Sequence, residues 1–396
     1  MHSVTPSLDQ PIERAARLVA LDLLESATKA RARLDDSTDA EALHDFRVTL
    51  RRLRTWLRTL QPWLEDSTPK KASRRLRKSA RLTSDSRDAE VHLVWLQDQR
   101  SALSARQRHG WAWLVERIEH EKEQSDEVAF SKGARAFDRA AAKLARRLPY
   151  YRAHVDPHAA DAPRPFAIVL AELIRDQGAV LAERLEKITS FEDAKAIHSA
   201  RIAGKRLRYI VEPIAEQIDG GNQLVADLGA LQDALGACHD AQVFAGAILA
   251  ASEALPAAQG ASPDTRSASA RRPSERHRDL RLGLLAIAGR LQERGEQSFA
   301  DVKEKWLSSP NLAEETERIA QAVASRVGQS LPAAGKVGLG DRRASEQVEE
   351  EADEQHAGNG RRNGAGKRTR HAHQRRASVH PVPSLEEPAI GQSPNA

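Results

Sequence analysis

Apolar residues recur every three or four positions along most of this 396-residue chain. That spacing matches the 3.6-residue turn of an α-helix, and no segment shows the alternation of a half-buried strand. Ala, Leu, Arg and Glu, which all favour helices, dominate the composition. We therefore predict an all-α fold.

Prolines and turn residues divide this pattern into separate helices. Asp9 is expected to cap the first helix, and Pro62 is expected to end the second. Two further helices begin after Pro69 and near Arg87. The other predicted helices span about 9–34, 38–61, 108–147, 166–188, 192–218, 223–235, 239–254, 278–307 and 311–327.

The sequence also repeats itself. His44–Arg54 (HDFRVTLRRLR) aligns without gaps to His198–Arg208 (HSARIAGKRLR), at an offset of 154 residues. Arg87–Val91 (RDAEV) aligns to His239–Val243 (HDAQV), at an offset of 152. Two matched motifs in the same order indicate an internal repeat. The prediction is two pseudo-symmetric, antiparallel four-helix bundles.

Composition places the boundaries of these bundles. Residues 8–148 form the first bundle and residues 166–310 the second. The intervening 149–165 contains four prolines and reads as a linker, and 255–276 reads as a flexible loop inside the second bundle. In 328–396 an acidic block precedes a basic block without apolar periodicity, which predicts a disordered polar tail.

The first repeated segment carries a cationic ridge. At 100° per residue, Arg47, Arg51, Arg54 and Arg58 share one side of the helix, opposite an apolar stripe. The second copy places His198, Arg201, Lys205 and Arg208 in the same way. A charged helix face is often merely solvated, but two ridges in one frame with few acids favour binding. The planar guanidinium group suits phosphate.

A third basic helix follows the first ridge and, if antiparallel to it, would line the same groove. We predict polyanion contacts from the side chains of all three helices and from the start of the second motif, and we predict no catalytic residue, cofactor or metal site. The predicted contacts are His44, Arg47, Arg51, Arg52, Arg54, Arg58, Lys70, Lys71, Arg74, Arg77, Lys78, Arg81, Arg87, His198, Arg201, Lys205, Arg206 and Arg208.

Bulk properties favour a soluble cytoplasmic protein. The single cysteine, Cys238, excludes a disulfide framework and fits a reducing compartment. The N-terminus lacks a signal-peptide pattern, and apolar runs such as 243–251 are too short to span a bilayer. The net charge of +5 is unevenly distributed, so local patches matter more than the total.

Together the motifs HDFRVTLRRLR, RDAEV, IHSARIAGKRLRY and LQDALGACHDAQV resemble the CHAD family, the conserved histidine α-helical domain, over about residues 8–310. The resemblance implies two helical bundles around a basic surface that binds inorganic polyphosphate, often at polyphosphate granules. The resemblance maps two segments of this chain, His44–Arg54 and His198–Arg208, onto the family's two conserved helices. Here His239 stands where the first half has Arg87.

The leading hypothesis is thus a non-catalytic, polyphosphate-binding protein in the cytoplasm. One alternative is a nucleic-acid-binding protein, although stacking aromatics are scarce at 4%. Another is an accessory or catalytic part of a tri- or polyphosphate hydrolase, which would need metal-binding carboxylates near the basic groups. Histidine phosphotransfer is a third alternative.

Overall fold

The computed structural model describes residues 6–36, 38–39, 41–150, 164–255, 273–308 and 311–331. These residues belong to one compact unit. The helices are α1 (Ile12–Arg33), α2 (Ala42–Thr59), α3 (Gln61–Leu64), α4 (Lys70–Leu82), α5 (Ser84–Gln99), α6 (Arg108–Val128), α7 (Ala134–Arg147), α8 (Phe166–Glu186), α9 (Ala194–Val211), α10 (Gly221–Ala254), α11 (Pro273–Val302) and α12 (Asn311–Ser325). Short 3-10 segments occur at Arg100–Ala102 and Glu212–Gln217, and π-helical segments occur at Ala129–Gly133 and Lys303–Leu307.

The all-α prediction is confirmed. Over the described ranges the backbone forms no strand, and one isolated bridge joins Pro11 to Pro165. The internal repeat stays a prediction. The predicted linker, loop and tail lie mostly outside the described residues, although Pro273–Arg276, the end of the predicted loop, belongs to α11.

Prolines set several helix starts, as expected, but not all caps are as predicted. Pro69 and Pro165 directly precede α4 and α8. Pro11, and not Asp9, occupies the N-cap of α1, and the Asp9 carboxylate accepts a hydrogen bond from Ser7. α2 ends at Thr59, and Pro62 is the second residue of the short helix α3, because proline tolerates the first turn of a helix.

The prediction of separate helices at 223–235 and 239–254 is wrong. α10 is continuous over 34 residues. Within the described part of the chain it is the one helix long and apolar enough to cross a membrane, a test that core helices of soluble proteins also pass. Here α10 packs against α9 and α11.

The apolar side chains form two cores. The first takes residues from α1, α2, α4 and α7, and from α8, α9, α12 and the N-terminal part of α10. Within it, the rings of Trp56 and Phe166 lie 6.3 Å apart, edge to face. The second core joins α5 and α6 to α11 and the C-terminal part of α10. Each core therefore combines helices from before and after residues 151–163.

Candidate functional site

The basic helices predicted from the sequence are neighbours in the fold. α2 contacts both α4 and α9. Five basic residues lie on α2, seven on α4 and five on α9, whereas Asp45 is the only acidic residue of the three helices. We call these three helices the cationic cluster. All predicted contact residues belong to it except Arg87, which lies on α5.

α4 turns most of its charge to solvent. Ala72 and Leu76 are buried on its inner side. The exposed basic residues are Lys70, Lys71, Arg74, Lys78 and Arg81, and Arg77 is half-buried. The amphipathic pattern thus places a row of cations on the surface, as the sequence predicted.

Arg47 ties the beginning of α2 to the end of α4. Its Nη1 donates hydrogen bonds to the carbonyl oxygens of Thr83 (2.9 Å) and Ser84 (2.7 Å). The start of α2 therefore lies beside the end of α4, as expected for antiparallel neighbours. Burial lowers the pKa of Arg47 to about 10, although the nearby Asp88 carboxylate, 3.8 Å from Nη1, opposes that shift. Arg47 is held within the protein, which corrects its expected place on an open ridge.

Glu212 connects α2 to α9. Its Oε1 lies 2.6 Å from Nη2 of Arg52 and 3.9 Å from Nη2 of Arg208. Arg208 also donates a long hydrogen bond of 3.5 Å to Oε1 of Gln232 on α10. The Glu212 carboxylate thus partly neutralises the charges of two predicted contact residues, Arg52 and Arg208.

The ridge on α9 is less open than the sequence suggested. Lys205 and Arg206 are each only 9% exposed, because α9 packs against α8, α10 and α2. His198, Arg201 and Arg208 are half-buried. The middle of the predicted ridge on α9 is therefore buried, and only its ends reach the surface in part.

The histidine of the second ridge has a histidine partner. His198 Nδ1 lies 3.2 Å from Nε2 of His239, so one of the two nitrogens must carry a proton for a hydrogen bond to form. His44, in the first turn of α2, is half-buried. His239 was not among the predicted contacts, although the repeat aligned it with Arg87.

Aspartates of the second motif lie near the arginines of the first. Burial raises the pKa of Asp240, while Arg201 and Lys205 oppose the shift. Asp88 likewise approaches Arg47. Arg87 Nη1 lies 2.8 Å from a carboxylate oxygen of Glu90 on the same helix. Glu90 would therefore compete with a bound polyanion for Arg87.

Outside the cationic cluster, the described part of the chain offers little else that suits metal or thiol chemistry. Its His, Cys, Asp and Glu residues form no group of three or more placed to hold a metal ion. Cys238 is buried, and burial raises its pKa to about 11. The predicted absence of catalytic residues and cofactors stays a prediction.

Comparisons with known proteins identify a family and a similar fold. The family model described as "CHAD domain" matches residues 19–249. A crystal structure of the CHAD domain from the plant Ricinus communis is similar in fold, with a TM-score of 0.50 and 16% identity. The match covers 80% of this chain and 94% of that one. A search of curated proteins found no significant match.

Proposed function

Because this chain belongs to the CHAD family, we propose that it binds inorganic polyphosphate on the cationic cluster of α2, α4 and α9. The observation that supports the proposal most is the charge imbalance of three adjacent helices with a single acidic residue, Asp45. Like charges at this density repel one another, and a phosphate polyanion relieves that repulsion.

We propose that the exposed side of α4 makes the first contacts. Lys70 to Arg81 spans about 16 Å at 1.5 Å per residue. A single phosphate cannot bridge that length, whereas an extended chain can contact several cations in succession. Affinity should therefore increase with phosphate chain length until the ligand covers the surface.

The proposed role is binding without catalysis, in the cytoplasm and at polyphosphate granules. The support comes from the CHAD resemblance and from the single cysteine, Cys238. Incubation of the protein with long-chain polyphosphate and magnesium should leave the chain length unchanged. Release of orthophosphate would instead favour the hydrolase alternative.

Fluorescence anisotropy with labelled polyphosphate of defined length tests the site. Arg74→Glu/Lys78→Glu reverses two exposed charges on α4 and should weaken binding by at least tenfold. Arg106→Glu/Arg108→Glu makes the same charge change at exposed positions at the start of α6, which packs against α5 and α11. It should bind nearly as the unmodified protein does. Equal loss in both variants would mean that only net charge matters.

Salt and a competitor separate polyphosphate from nucleic acid. By analogy with single strands, log affinity should fall with log salt by about 0.7 per neutralised phosphate. The α4 double variant should lower that slope by roughly 1.4, the value for two lost contacts. Single-stranded DNA should displace polyphosphate poorly at physiological salt. Equal displacement would assign the cluster to nucleic acid.

A further inference from the structure

The interface between α9 and α10 contains a row of matched positions. His198 lies against His239, Arg201 against Gly236, and Arg208 against Gly229. Between the two arginines, Gly204 faces Gln232. The two helices are antiparallel here, and the arginines and the facing glycines both recur at seven-residue spacing.

The two glycines leave different amounts of space. A Cβ added at Gly236 would lie 3.3 Å from Nε of Arg201, 3.6 Å from its Nη2 and 3.8 Å from its Cζ. A Cβ at Gly229 would lie 3.6 Å from Nη1 of Arg208 and 3.8 Å from its Cζ. A methyl group at 236 would require the Arg201 guanidinium to shift by a few tenths of an ångström, whereas a methyl group at 229 would make an ordinary contact.

A glycine inside a helix is unfavourable without such a reason, because it loses more backbone freedom on folding than alanine does. Gly246, further along α10, shows the contrast. An added Cβ there meets nothing within 4 Å. Packing therefore accounts for glycine at 236 and not at 246.

The space left by the absent Cβ of Gly236, which we call the notch, determines which edge of the Arg201 guanidinium faces α10. The Nε and Nη2 atoms are nearest to the position of the missing Cβ, and Nη1 is further away. Arg201 Nε is buried and has no hydrogen-bond partner within the described residues. The group thus lies against α10 and keeps Nη1 furthest from the notch.

We infer that Gly236 is a positioning residue of the polyanion site, which it serves by setting where the guanidinium of Arg201 lies. The inference rests on the proposed function. Arg201 and Arg208 are about 10.5 Å apart along α9 at 1.5 Å per residue. Two cations at that spacing contact separate phosphates of one chain, so the ligand class is an extended polyphosphate and not orthophosphate.

Three alanine variants on α10 test the inference by polyphosphate anisotropy. Gly236→Ala should weaken binding about three- to tenfold and lower the salt slope by up to about 0.7, the value for one phosphate contact. Gly229→Ala and Gly246→Ala should bind within twofold of the unmodified protein. Wild-type affinity in Gly236→Ala, or equal losses in all three variants, would overturn the inference.

A second background separates positioning from a general structural effect. Arg201→Lys keeps the charge but removes the guanidinium that a methyl group at 236 would displace. Adding Gly236→Ala to Arg201→Lys should therefore cause no further loss of affinity. A further loss equal to that seen with Arg201 present would contradict the inference.

The urea unfolding midpoint and the affinity for polyphosphate distinguish a folding defect from a loss of binding. If Gly236→Ala lowers the urea unfolding midpoint, recovery of that midpoint in Arg201→Lys/Gly236→Ala would support displacement of Arg201, and no recovery would contradict it. If the unmodified protein does not bind polyphosphate, the proposed function itself fails. If it binds and Arg201→Ala weakens binding while Gly236→Ala does not, only the positioning role fails.

Discussion

Removing the Glu212 carboxylate should strengthen polyanion binding. Glu212 holds Arg52 at 2.6 Å and approaches Arg208 at 3.9 Å, so it competes with any phosphate for both guanidinium groups. Glu212→Gln keeps the size and an acceptor oxygen but removes the charge. The variant should bind polyphosphate more tightly, although an acidic contact within the protein has been lost.

The expected gain follows from the geometry. A phosphate oxygen bonded to either arginine would lie about 5 Å from the Glu212 carboxylate, where two unit charges repel by about 0.8 kcal/mol in water. The Glu212 side chain is 25% exposed, so a water-like dielectric is the conservative choice. A gain of about 0.8 kcal/mol corresponds to roughly fourfold tighter binding.

Isothermal titration calorimetry at low and physiological salt measures this change, and the gain should shrink as salt screens the carboxylate. Glu121→Gln is the matched control, because it removes one charge from an exposed pair with Arg117 on α6. Urea unfolding should show a loss below about 1 kcal/mol for Glu212→Gln. Unchanged or weaker binding would mean that Glu212 aligns the arginines and does not compete for them.

Three further predictions concern the side chains of Arg47, of the two ridge histidines and of Cys238. Arg47→Ala should lower the free energy of unfolding by about 1–3 kcal/mol in urea, because two partly buried carbonyl groups lose their donor; an unchanged midpoint would contradict this structural role. Replacing both ridge histidines, as in His44→Ala/His198→Ala, should weaken polyphosphate binding by removing two hydrogen-bonding side chains near the starts of α2 and α9; unchanged affinity would exclude both histidines as contacts. The Cys238 thiol should resist a disulfide reagent at pH 8 until the protein is unfolded, because burial raises its pKa to about 11, whereas rapid labelling of the native protein would show that the core opens.

The helices were predictable because their signals are local. Pro69 and Pro165 precede the helices that the sequence placed after them. The predicted break in α10 fell at 236–238, a stretch that begins with Gly236. In the fold that glycine lies against Arg201, so its reason is a contact with another helix and not a change of backbone direction.

The candidate site was predictable in composition but not in exposure. Helical spacing alone put Arg51, Arg54 and Arg58 on one side of α2. It could not show that α8 and α10 flank α9 and bury Lys205 and Arg206, because the spacing within one helix does not reveal how its neighbours pack against it. The partner of Arg52 was equally hidden, because Glu212 lies 160 positions further along.

That separation has a consequence for synthesis on the ribosome. At 5–20 residues per second, Glu212 is added about 8–32 s after Arg52. During that interval α2 and α4 lack this carboxylate, and for the first 114 residues of it they also lack Phe166, which completes their core. The nascent chain therefore presents its most cationic helices before it can finish folding them, in the immediate vicinity of ribosomal RNA.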